Sequence, residues 1–135
     1  MLRDQLALRK PAQYVYVPDW LDALRDAERE GNPRMVFDAV ASFRGLLALD
    51  ELIADRHTTY GLDRLLQLVD RRSREKLMTV ATANLKPMPT RDGADCIHDM
   101  SPRLASRLAE WWVYSWSGRD RRMRPNRSGQ SGQSA

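Results

Sequence analysis

Leu46-Leu47-Ala48-Leu49 is an uninterrupted apolar run that stops at two adjacent acids, Asp50 and Glu51. A strand with one wet face alternates apolar and polar side chains, whereas a run with no polar member suits a strand covered on both faces, as in a parallel sheet. Leu77–Ala83 reads as another buried strand, ending at Asn84. Tyr14–Val17 is a shorter β-rich run closed by Pro18, and Trp111–Trp116 is the last strand candidate.

The segments between these runs carry helical spacing. Trp20, Ala23, Leu24 and Ala27 draw one stripe up to Gly31; Val36, Ala39, Val40 and Phe43 draw a second up to Gly45, after Asn32-Pro33 supplies a cap and a first-turn proline. Leu62, Leu65, Leu66 and Val69 mark a third helix that finishes in the charged segment Asp70–Lys76. After a loop with Pro87, Pro89 and Gly93, Ser101-Pro102 caps a short helix through about Glu110. The order strand, two helices, strand, helix, strand, helix, strand predicts an α/β chain, a parallel sheet with flanking helices.

With 135 residues, one fold unit of ordinary core size is expected. The single Cys96 excludes an intrachain disulfide framework. No apolar run approaches the ~20 residues of a membrane span, which makes a cytoplasmic setting the default expectation and excludes a membrane partner. The net charge of +4 resides in the tail, because Arg119 to Arg127 holds five Arg and one Asp while residues 1–118 balance. We therefore expect a core over 1–118 and a basic, flexible tail over 119–135, with any pull on nucleic acid confined to that tail.

Ligand groups of open parallel sheets gather at the carboxyl ends of strands. Asp50 and Glu51 at one strand end have the Walker B form, in which the first acid holds Mg²⁺ through water and the second activates water. The same pair also suits the start of a helix, where acids favour the dipole. Asn84, at the next strand end, suits either a phosphate sensor or a turn. Arg103 and Arg107, four apart, share one helix face opposite Leu104 and Leu108; they could reach a phosphate or lie on a solvated surface with Glu110 as local partner. Cys96 and His98, flanked by Asp95 and Asp99, fall short of a zinc ligand set, with only His57 elsewhere. The Trp111, Trp112, Tyr114 and Trp116 cluster suits strand packing or docking on a partner better than base stacking.

The order of these pieces resembles the AAA+ ATPases of the DnaC helicase-loader and IstB transposition-ATPase type, over residues 14 to 122. YVYVPDWLDALRDA (14–27) resembles the family's second strand and following helix, GLLALDEL (45–52) its Walker B, TVATANLKP (79–87) its sensor-1 strand, SPRLASRLAE (101–110) the arginine-finger segment, and SGRDRR (117–122) its closing element. The resemblance implies an ATP- and Mg²⁺-dependent protein of DNA replication or transposition. In it Asp50 would coordinate Mg²⁺, Glu51 polarise water, Asn84 be sensor 1, and Arg107 be the finger, with Arg103 a second candidate. Arg121 and Arg122 would lie near the nucleotide's far side or a subunit contact. It also implies a five-stranded parallel sheet and assembly with like subunits, a replicative helicase or a transposase, on or near single-stranded DNA.

One departure is large: no G-x-x-x-x-G-K-[ST] occurs, so the backbone amides and Lys that cradle phosphates are missing. The register implies that the chain begins within the helix after the P-loop, leaving a partial P-loop NTPase core that lacks its first strand and does not hydrolyse ATP alone. Either the last strand then pairs with Leu77–Ala83, or that edge stays open and seeks another chain. The alternative functions are a non-catalytic interaction module docking on a helicase or ATPase partner, and DNA binding through the Arg tail.

Overall fold

The computed structural model describes residues 11–53 and 58–114. Three strands, β1 (Ala12–Tyr16), β2 (Leu46–Asp50) and β3 (Thr79–Ala81), form a parallel sheet in the order β1-β2-β3. Tyr14 lies opposite Ala48 and Tyr16 opposite Asp50, while Ala48 lies opposite Val80. Helices α1 (Val17–Arg29) and α2 (Pro33–Ala41) connect β1 to β2, and α3 (Thr59–Arg74) connects β2 to β3. After β3 come a single turn, α4 (Ile97–Met100), and α5 (Pro102–Ala109).

Local chemistry explains the boundaries. Pro18 sits in the first turn of α1, where its missing N–H costs nothing, so it opens the helix directly from the strand. At the far end Asn32 N–H donates to Ala27 O (2.8 Å) and Gly31 N–H to Glu28 O (3.1 Å), the paired bonds of a Schellman cap, with Gly31 at φ +78°. Thr58 accepts from Gly61 N–H at the start of α3, and Ser101 from Leu104 N–H at the start of α5. Asn32, expected to cap α2, does not: its amide donates to Met35 Sδ. At Gly45 the chain passes so close to β1 that an added Cβ would stand 2.1 Å from Pro11 O, so only glycine fits.

One core joins Val15, Leu47 and Leu49 of the sheet to Val17, Trp20, Leu21 and Leu24 of α1, Val40 and Ala41 of α2, Leu65, Leu68 and Val69 of α3, and Leu104, Ala105 and Leu108 of α5. Each fully buried Leu contributes about 1.5–3 kcal/mol relative to exposure. All four residues Leu46–Leu49 are buried, as their composition requires. The apolar stripes are wider than their spacing predicts. Leu21 and Leu68 are buried, while Ala23 and Ala39 are exposed, because larger side chains one position along take the core-facing sites.

Two strand expectations are corrected. Leu77–Ala83 shortens to Thr79–Ala81, and its residues are half-buried rather than buried, because β3 is an edge strand among the described residues. Trp111–Tyr114 form no strand, so the expected fourth strand is absent as far as the chain is described; residues 115 and 116 lie outside the described residues. Trp111 instead turns inward, its indole N–H donating to Ser73 Oγ (2.9 Å).

Arg72 is the one buried charged residue among those described, with no accessible surface. Its Nε donates to Thr79 Oγ1 (2.7 Å), Nη1 to the carbonyls of Val40, Ala41 and Phe43 (2.8–3.2 Å), and Nη2 to Met78 O (3.1 Å). The cation thereby closes the negative end of α2 and ties α3 to the start of β3. Burial lowers its pKa from the ordinary arginine value.

Candidate functional site

Asp50 ends the middle strand, and the register sets Tyr16 beside it on β1. In an extended strand every second side chain shares a face, so Tyr14 and Tyr16 project on the side of the sheet away from the helical core, with Asp50 on the same side. Tyr14 hydroxyl donates to Asp50 Oδ2 (2.5 Å) and Tyr16 hydroxyl to Glu51 Oε2 (2.9 Å). From the β3 side Thr82 hydroxyl donates to Asp50 Oδ1 (2.6 Å), which also accepts from Glu51 N–H (3.0 Å). The strand ends are locked together by Thr82 N–H to Leu49 O and Leu52 N–H to Thr82 O. The acids are thus held by hydroxyl groups from both neighbouring strands, with Asp50 half-buried and Glu51 exposed.

These bonds raise both phenol pKa values. For Tyr14 the main cause is its bond to the Asp50 carboxylate, and for Tyr16 its bond to Glu51, because ionising either phenol would set two anions in contact.

Glu51 adopts φ +52°, the left-handed region that costs a non-glycine residue about 1–2 kcal/mol. Lys76 does the same at φ +54°, but there the conformation ends α3: Leu77 N–H reaches Arg72 O and Lys76 N–H reaches Ser73 O. Glu51 follows a strand and closes no helix. Its conformation directs an exposed carboxylate at the carboxyl end of the sheet, where such strain clusters in functional sites.

The other expected site residues disperse. Asn84 is exposed and lines a separate cavity of about 350 Å³ with Ile53, Asp95, Cys96 and Asp99. The hydroxyl of Thr82, two residues earlier, takes the position beside Asp50. Arg107 lies on α5, its Nε 3.1 Å from Asp70 on α3 and its Nη1 3.8 Å from Glu110, while Arg103 is exposed and makes no ion pair among the described residues. Both line a groove of about 650 Å³ between α3 and α5, with Asp63 and Gln67. His57, Arg121 and Arg122 lie outside the described residues. No group of three or more His, Cys, Asp or Glu side chains able to hold a metal occurs among the described residues. No helix among them is long and apolar enough to cross a membrane.

The fit to magnesium and to nucleotide differs. A carboxylate already fixed by Tyr14, Thr82 and a backbone amide suits an ion held through water, the usual habit of Mg²⁺. A triphosphate needs several convergent N–H groups, and nothing among the described residues at the strand ends supplies them.

No family model matches the sequence, and no curated protein matches it. Among solved structures the chain is similar to a DnaC helicase loader, with a TM-score of 0.52 and 22% identity. The match covers 75% of this chain and 53% of that one, so the chain spans about half the length of that structure. The three-stranded parallel sheet with its flanking helices is thus an α/β fold similar to part of that helicase loader.

Proposed function

We propose that this chain is a helicase-loader-like AAA+ module of replication or transposition whose phosphate cradle comes from another chain or from sequence upstream. The observation that carries the reading is the strained acid pair at the carboxyl end of the middle strand, Asp50 braced from both neighbouring strands and Glu51 exposed at φ +52°. In this reading Asp50 holds Mg²⁺ through water and Glu51 faces the attacking water. Asn84 is the sensor, Arg107 or Arg103 the arginine offered to a neighbour, and Arg121 and Arg122 the residues on the nucleotide's far side. Replicative helicase, transposase, like subunits and single-stranded DNA are the proposed partners, and ATP the proposed nucleotide, in the cytoplasm. Because the cradle does not fit this chain, hydrolysis by the chain alone is no part of the reading.

A second reading, a non-catalytic interaction module, is favoured by the internal pairing of these groups: both acids take tyrosine hydroxyls, and Arg107 is paired with Asp70. Two titrations decide. Calorimetry with Mg-ATP on the chain alone is expected to show no saturable heat, while sedimentation with the replicative helicase of the same cell is expected to show micromolar association. Micromolar ATP binding that Asp50→Ala abolishes would put a phosphate site within these residues and overturn a cradle supplied from outside them. Absence of helicase association would overturn the loader reading.

A further inference from the structure

We infer that Thr82 is the positioning residue of the acid pair: it holds a bulge at Glu51 that sets the Glu51 carboxylate on the same face of the sheet as Asp50. The main-chain bonds show the bulge. Asp50 falls opposite Thr82 when the register is carried one residue past β3, and Thr82 N–H donates to Leu49 O (2.9 Å). In a regular parallel ladder the Thr82 carbonyl would then accept from the residue two further on, Glu51. It accepts instead from Leu52 N–H (2.8 Å), three further on, so one extra residue is inserted where β2 ends. That residue is Glu51, at φ +52°. Its N–H, displaced from the ladder, donates to Thr82 Oγ1 (3.1 Å) and to Asp50 Oδ1 (3.0 Å).

The bulge decides which way Glu51 faces. Side chains of an unbroken strand alternate, so Glu51 would share the core face of Leu49 and stand apart from Asp50. With the extra residue, Glu51 Oε2 takes the hydroxyl of Tyr16 and Asp50 Oδ2 that of Tyr14, two residues that project on one face. The adjacent acids thus end side by side, away from the core. Thr82 makes this arrangement available, because its one hydroxyl proton goes to Asp50 Oδ1 (2.6 Å) while a lone pair of the same oxygen accepts the displaced amide. A hydroxyl donates and accepts at once, whereas a valine of the same shape does neither. Main chain and hydroxyl of Thr82 together bond all four of Leu49, Asp50, Glu51 and Leu52. This role rests on the reading of Asp50 as the holder of water-bound Mg²⁺ with Glu51 facing the attacking water, and Asn84 keeps its part there as sensor.

Two NMR readouts on the isotopically labelled full chain test this, with Thr82→Val set against Thr82→Ser. Thr82 is exposed, so both exchanges leave the core untouched, and circular dichroism establishes that each variant folds. The first readout is the intraresidue N–H to Hα Overhauser effect of Glu51, which is strong at positive φ. The second is the broadening of the Asp50 and Glu51 amide signals by Mn²⁺, the probe standing in for Mg²⁺. Parent and Thr82→Ser are expected to show the strong effect and the same Mn²⁺ affinity. Thr82→Val should lose the effect and bind Mn²⁺ about fivefold more weakly. A folded Thr82→Val chain that keeps the strong effect overturns the proposal, as does one that keeps the parent's Mn²⁺ affinity. A parent that binds no Mn²⁺ while Thr82→Val still loses the effect overturns the cation reading of the site and upholds Thr82 as the residue that places Glu51.

Discussion

At the amino end of the strands a guanidinium with no accessible surface makes five hydrogen bonds, all to neutral oxygens; at the carboxyl end two carboxylates face outward and are held by hydroxyl groups. Arg72 is placed to satisfy acceptors that folding has removed from water. Its loss takes a donor from five oxygens in the interior, and its fixed fork is what allows one side chain to reach α2, the β2 approach and β3 together. Asp50 and Glu51 gain little from their position, because Tyr14, Tyr16 and Thr82 remain near solvent and can bond water instead. Glu51 even holds a disfavoured backbone conformation there. A polar cluster that the fold needs is buried and saturated, while a cluster that the fold merely tolerates is exposed and strained.

This contrast orders the expected effects of substitution. Arg72→Met should cost about 3–5 kcal/mol in urea unfolding, since the carbonyls of Ala41 and Phe43 lose their donor and those of Val40 and Met78 keep only one backbone N–H each. A loss under about 1 kcal/mol would mean that water enters the site and that the contrast is weaker than drawn. Gly45→Ala should cost about 1–3 kcal/mol by driving a methyl into Pro11 O, read as a lowered melting temperature. Lys76→Gly should act in the opposite sense, stabilising by about 0.5–1 kcal/mol, because it relieves left-handed backbone at a helix cap.

The tyrosines sharpen the other end. Their folded pKa values are raised, so the stabilisation is fully present below the unfolded phenol value of about 10 and is lost as pH rises through the folded value. Phenolate absorbance should therefore show Tyr14 and Tyr16 ionising late in an alkaline titration. Asp50→Asn should move the Tyr14 step back toward the ordinary phenol range, and an unchanged step would deny the Tyr14–Asp50 bond.

The order of elements was legible because each has its own period: four apolar residues in a row for β2, and recurring stripes for α1, α2, α3 and α5. The shortened β3 was not, because Leu77–Ala83 has the composition of a covered strand and only its place at the sheet edge exposes it. Trp111–Trp116 alternates like a strand, yet the Trp111 side chain turns to Ser73 on α3. At the site, Asp50 and Glu51 could be read from the apolar run that precedes them. Tyr14 and Tyr16 had a usable signal, the alternation with Val15 and Val17 that sets both hydroxyls on one face. Thr82 had none, since its meeting with Asp50 depends on the register of two strands far apart in sequence. Arg72 looked like one more charge in Asp70–Lys76, and its burial follows from the α3 face that carries Leu65, Leu68 and Val69.

The most direct test is urea unfolding of Asp50→Ala beside Arg72→Met. If the carboxyl end of the sheet is kept for chemistry and the amino end for the fold, Asp50→Ala loses less than about 1 kcal/mol while Arg72→Met loses several. An Asp50→Ala chain as unstable as Arg72→Met would contradict the account, because the acid pair would then be a structural brace.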